Sequence, residues 1–96
     1  EFTVHATPAA TQITATYNNG AIGFTWPGAE PKSIELYIFD ETTYRAWMVY
    51  DLPPSGSYGP SGEQALPGHT YWFRARSVGH NNVLGDWSNW GAYQPQ

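Results

Sequence analysis

The chain has 96 residues, eight acidic and four basic side chains for a formal charge of −4 at pH 7, and an aromatic content of 17%. Its bases, Lys32, Arg45, Arg74 and Arg76, are too few and too scattered to track a phosphate backbone, which excludes a nucleic-acid partner. No apolar run approaches the ~20 residues of a membrane helix, so no membrane insertion is expected, and the lack of cysteine leaves the redox compartment open.

A chain of this length buries about 60–70% of its unfolded surface, enough for one core. Phe2, Val4 and Ala6 alternate with Thr3, His5 and Thr7, so residues 1–7 read as an extended arm belonging to whatever precedes the domain. The domain itself is expected over residues 8–94, with 95–96 as a tail. Residues 11–17 alternate Ile13, Ala15 and Tyr17 with threonines, the pattern of a strand. Asn18-Asn19-Gly20 tolerates positive φ and predicts a tight hairpin into a second strand, where Ile22, Phe24 and Trp26 share one side and Pro27-Gly28 ends the pairing. In the third, residues 33–39, Ile34, Leu36 and Ile38 point inward and Glu35, Tyr37 and Phe39 outward.

Residues 44–52 form a fourth strand whose pattern leaves the buried set open between Ala46, Met48 and Tyr50 and Arg45, Trp47 and Val49. Three prolines and three glycines make residues 51–62 an irregular surface connection, followed by a brief strand at 63–66. The clearest alternation comes next: Tyr71, Phe73 and Ala75 lie on one face and Trp72, Arg74 and Arg76 on the other. Glycine, asparagine and aspartate crowd into a loop at residues 79–86 before the chain returns as Trp87-Ser88-Asn89-Trp90. Two tryptophans three apart share a face in a polyproline II-like stretch, which lets Arg74 and Arg76 slot between their indoles as a cation–π ladder. No segment keeps a helical period with caps, so no helix is assigned.

Seven short strands separated by turns predict an all-β, antiparallel two-sheet Greek-key sandwich. The turn Leu66-Pro67-Gly68 leading to Tyr71 selects a sandwich over a barrel, because the Tyr71 hydroxyl can reach back to upstream backbone and tie the corner. Ile34, Leu36 and Phe73 are expected in the core together with Trp26.

Signals for chemistry are weak. His5, His69 and His80 lie apart with no metal-ligand spacing, the carboxylates are scattered over turns, and no nucleophile elbow or phosphate-cradling loop occurs. Catalysis and cofactors are therefore not expected. The outward aromatics Tyr37, Phe39, Trp47 and Trp72 offer a binding face beside the Arg74, Arg76, Trp87 and Trp90 ladder, and His80, Asn81 and Asn82 a binding loop.

Pro8, Trp26-Pro27, LPGHTY, YWFRARSV and the return through Trp90 together resemble a fibronectin type III domain of the immunoglobulin-like class. One departure is Ala65, where that family commonly carries a leucine six residues before the corner tyrosine. Residues 1–26, EFTVHATPAATQITATYNNGAIGFTW, are most similar to the fibronectin modules of the tail-tip host-specificity protein J of long-tailed phages. FRAR…WSNW is also similar to the Trp-Ser-x-Trp-Ser domain of class I cytokine receptors, with Gly91 in place of the last serine. The phage resemblance implies a non-catalytic spacer or contact module in a virion or extracellular attachment protein, with neighbouring domains, tail subunits or a bacterial surface receptor or glycan as partners. Its oligomeric state would follow the parent protein. A module of a secreted carbohydrate-active enzyme or cell-adhesion protein, and a receptor-like domain, are the alternatives.

Overall fold

The structure, a computed structural model, describes residues 12–54 and 56–96. The arm expected at residues 1–7 and the junction through residue 11 lie outside the described residues. The strands are β1 (Thr14–Asn18), β2 (Ala21–Thr25), β3 (Ser33–Asp40), β4 (Arg45–Leu52), β5 (Ser57–Tyr58), β6 (Tyr71–Val78) and β7 (Gly91–Tyr93). They form two antiparallel sheets, in the orders β1-β2-β5 and β4-β3-β6-β7.

The β1–β2 hairpin forms where Asn19 and Gly20 both take positive φ, 52° and 82°, the two-residue turn whose twist suits antiparallel strands. Strand β3 pairs with β6 from Ser33 opposite Val78 to Asp40 opposite Tyr71. Side chains alternate across such a pair, so Ile34, Leu36 and Ile38 join Tyr71, Phe73 and Ala75 in the core, where Ile13, Ile22 and Phe24 meet them from the other sheet. Trp26 follows β2 and packs partly buried at the margin of this core.

Strand β4 shows why its pattern was ambiguous. Trp47 lies opposite Ile38 and Val49 opposite Leu36, but beyond a bulge Leu52 lies opposite Ile34, so β4 spends one residue more than β3 over that interval. Asp51 absorbs it with a φ of 58°. Trp47 and Val49 thus pack against the core, and the assignment of Trp47 to the outer binding face is corrected. Ala46 and Met48, opposite Phe39 and Tyr37, take the outer side.

Two further expectations change. Residues 63–66 are not a strand: a single 3-10 turn spans Gly62–Gln64. The partner of β2 is instead β5, inside the stretch read as irregular, because two residues are too few to show a period. Tyr58 holds β5 in place by packing on the core and donating its hydroxyl to Gln64 Oε1.

A column of rings joins the sheets. Tyr17 of β1 stacks on Tyr93 of β7 at 4.5 Å between centroids, Tyr93 on Tyr71 at 4.9 Å, and Tyr71 faces His69 at 6.1 Å. Both inner hydroxyls are spent on backbone: Tyr93 donates to the Gln64 carbonyl at 2.8 Å, and Tyr71 donates to the Glu63 carbonyl while accepting the Leu66 N–H, both at 2.9 Å. Burial pushes both phenols above their usual pKa, which extends the donating, protonated form further into alkaline pH. Gly68, at φ +83°, lets the chain turn between Pro67 and His69. Because one hydroxyl satisfies two backbone groups, Tyr71→Phe is expected to destabilise the domain by about 1–3 kcal/mol. A urea-denaturation midpoint equal to that of the wild type would contradict this role.

Candidate functional site

The outer face of the four-stranded sheet carries the most distinctive side-chain arrangement. It begins with a backbone device. Residues 87–90 run beside β6 without a strand ladder, in keeping with the non-strand spacing of the two tryptophans, and the last strand starts only at Gly91. Ser88 makes the connection: its N–H donates to the Ala75 carbonyl at 2.7 Å, and its Oγ accepts the Ala75 N–H at 3.0 Å. The hydroxyl thus stands where a strand would offer a carbonyl, and Oγ in turn donates to the Asn89 carbonyl at 3.0 Å. Freed from strict alternation, Trp87 and Trp90 both turn to the outer side.

Arg74 lies between them. Its guanidinium carbon is 4.7 Å from the Trp87 ring centroid and 4.5 Å from that of Trp90, with Tyr37 at 5.9 Å. Arg76 takes up Trp87 as well, at 4.4 Å, giving the sequence Trp90, Arg74, Trp87, Arg76 along the face. Tyr37 sets its edge toward both indoles, at 6.5 and 5.9 Å. Glu35, opposite Arg76 in register, closes the inner end with contacts of 2.9 Å to Nε and 2.8 Å to a terminal nitrogen.

Magnitudes show what this clasp is for. Each cation–π contact is worth roughly 0.5–2 kcal/mol. Against that, Arg74 Nε is buried with no hydrogen-bond partner, a penalty of about 1–3 kcal/mol. The penalty offsets part of the roughly 1.5–6 kcal/mol that the three Arg74 contacts supply together, so the clasp fixes geometry as well as adding stability. It holds residues 87–90 on a sheet edge that backbone pairing alone does not secure. Gly91 completes the fit, since a Cβ there would lie within 2.8 Å of both Cε atoms of Phe73.

Of the other expected face residues, Phe39 and Trp72 are register partners, Trp72 is 38% exposed, and its Nε1 donates to Glu41 at 2.6 Å. The turn linking β3 to β4 is fixed by buried Asp40, whose carboxylate accepts the Thr42 and Thr43 N–H groups and meets His69 Nδ1 at 2.9 Å. Burial alone would raise the Asp40 pKa; the hydrogen bonds from His69, Thr43 and Thr42 outweigh it and hold the carboxyl below its usual value. Glu41 N–H to the Thr70 carbonyl and Thr70 N–H to Thr42 Oγ1 join this turn to the tyrosine corner.

The loop with His80, Asn81 and Asn82 sits at the opposite end. Asn82 accepts Lys32 Nζ at 2.8 Å, Asn81 caps the Val83 N–H, and His80 Nε2 approaches the Glu30 carbonyl at 3.2 Å. These residues brace the loop on its neighbour at residues 27–32 and are not gathered with the aromatic face.

Sequence reasoning missed Ser88, Gly91, Glu41 and Tyr44. Ser88 and Gly91 act through backbone contacts that side-chain periodicity does not report. Tyr44 is 83% exposed and sets its ring edge-on to Phe39 at 6.1 Å, a contact created by the turn.

A groove of about 390 Å³ between the start of β1 and residues 88–90 is lined by residues 12–15, Pro27 and residues 88–90. It holds no acid, base or thiol, and the Ser88 hydroxyl is already engaged. Among the described residues, no three of His, Cys, Asp and Glu cluster as metal ligands. No protein-family model and no curated protein matches the chain.

If the Arg74 and Trp87 side chains stack as described, Arg74→Ala and Trp87→Ala should be strongly non-additive, coupled by about 0.5–2 kcal/mol in a double-mutant cycle read by chemical denaturation. Additive effects would count against the clasp.

Proposed function

We propose that the chain is a fibronectin type III-like module of a larger attachment protein of the phage tail-tip kind, a rigid spacer that also offers a contact face. Several features support this reading. The strand orders β1-β2-β5 and β4-β3-β6-β7 are those a Greek-key sandwich of this class would have, and the Tyr71 hydroxyl ties its corner to Glu63 and Leu66. The observation that carries the spacer role is bracing at several places. The ring column ties one sheet to the other, the Asp40–His69 contact fixes one end of the sandwich, and the arginine–tryptophan clasp fixes an edge. A module stiffened in this way transmits position from one neighbour to the next.

The receptor-like reading fares less well. The serine its motif places at position 91 would drive a Cβ into the Phe73 ring, so this chain has packed its last strand differently. Virion or extracellular placement belongs to the same proposal. The described residues contain no helix long and apolar enough to cross a membrane.

The test is an exchange within the parent protein. Replacing the module by a flexible Gly/Ser linker of equal residue number should reduce adsorption of the particle to its host, because such a linker behaves as a random coil and no longer fixes distance. An unrelated rigid sandwich of similar length should restore whatever part of adsorption depends on spacing alone. Unchanged adsorption with the flexible linker would contradict the spacer role.

A further inference from the structure

The four-stranded sheet carries, next to the clasp, a shelf that the clasp does not cover. Reading across the strands, Ala46 of β4 lies opposite Phe39 of β3, Phe39 opposite Trp72 of β6, and Trp72 opposite Ala92 of β7. Strands about 4.8 Å apart make this row about 14 Å long. Both alanines are exposed, so short side chains flank the two aromatics and leave the row open at each end. The next row inward is tall, built from Met48, Tyr37 and Arg74. On the other side lies the turn at residues 41–44, from which Glu41 reaches Trp72 and Tyr44 reaches Phe39. The result is an aromatic row bordered by the turn on one side and by the taller side chains on the other.

We propose that this shelf binds a neutral saccharide, with the C–H face of a pyranose ring on Trp72 and Tyr44 and its hydroxyls donating to Glu41. The inference rests on the reading of the chain as an attachment module and names its ligand class. Three observations select that ligand. The Trp72 indole is held in place by its Nε1 bond to Glu41, which consumes its one donor and leaves the ring for flat apolar contact. Glu41 has a second carboxylate oxygen, for which no hydrogen bond occurs among the described residues; it accepts from hydroxyl donors and repels anions. Of the two cations nearest the shelf, Arg45 is committed to Glu63 at 2.9 Å and to the Trp47 ring on the other side of β4, and the Arg74 guanidinium is enclosed between the Trp87 and Trp90 rings, so neither is presented at the shelf to recruit a carboxylate, sulfate or phosphate.

Tyr44 adds a fourth. It holds a φ of 58°, a conformation that glycine adopts freely and a bulky side chain does not. What the tyrosine gains in return is a single edge-on contact with Phe39 at 6.1 Å, while the rest of the ring, 83% exposed, stands free at a conformational cost. The hairpin turn accounts for the left-handed backbone but not for the choice of an exposed aromatic there, and such a ring is available for ligand contact.

The experiment titrates the intact chain with neutral gluco-, xylo-, manno-, galacto- and N-acetylglucosamine oligosaccharides by saturation-transfer NMR and calorimetry. Heparin fragments and oligogalacturonate serve as anionic comparators, and sedimentation reports self-association. At least one neutral oligosaccharide should bind saturably at micromolar to millimolar concentration. Trp72→Ala and Tyr44→Gly should each weaken it more than about tenfold. Tyr44→Gly is the decisive variant, because glycine suits the turn and the thermal midpoint should hold while binding falls. No saturable binding to any neutral probe, binding that both variants retain, or binding confined to anionic probes would overturn the proposal. So would self-association abolished by the same variants, which would make the shelf a protein interface. A negative result leaves the spacer role standing, since that is decided by the linker exchange.

Discussion

The structure depends on keeping Arg74 between two indoles on the outside of β6 while Tyr71, Phe73 and Ala75 fill the inside. A strand offers two faces, and here both are fully used. The inner face contributes the hydrophobic burial that stabilises the sandwich, while the outer face orders the segment after the 79–86 loop. The two are linked through Ala75, whose backbone N–H and carbonyl are both taken by Ser88 while its side chain packs in the core beside its register partner Leu36 of β3. Loss of that pairing would free residues 87–90, and with them the approach of Gly91 to Phe73 that seats β7.

The ends of the sandwich are secured by different chemistry. At the corner, phenol hydroxyls take over the work of backbone partners, satisfying Glu63, Gln64 and Leu66 in a region with little secondary structure. Beside it, buried Asp40 organises a turn that has four consecutive exposed residues and a strained Tyr44. A rigid base under an exposed tip is what recognition loops require. At the far end, Lys32 and Asn82 tie two loops by a single exposed contact, a lighter constraint.

Much of the inner architecture was legible because period-2 alternation is a strong signal wherever a strand is half buried. Residues 33–39 and 71–76 carried it without interruption, and Ile34, Leu36 and Phe73 lie where it placed them. The Asn19-Gly20 turn and the Tyr71 corner were legible for a related reason, as each needs specific residue types at fixed offsets. What failed to read through was everything governed by register. The bulge that inserts one residue in β4 turned Trp47 inward and split the pattern between Val49 and Leu52. Strand β5 was too short to show a period, and residues 63–66 curl into a turn because Glu63 and Gln64 serve as acceptors for Tyr71 and Tyr93. The outer clasp was readable as composition and spacing. The Ser88 hydroxyl that makes it possible was not, since a serine between two tryptophans has no periodic signature.

The most direct measurement of the central arrangement is the NMR spectrum of the Arg74 side chain. Enclosed by Trp87 and Trp90, its methylene and Nε–H protons lie in the ring currents of both indoles, and Nε is shielded from solvent. The account predicts strongly upfield-shifted Arg74 side-chain resonances, a resolved Nε–H that exchanges slowly, and nuclear Overhauser contacts to both rings. Shifts near random-coil values, with an Nε–H lost to rapid exchange at neutral pH, would contradict it.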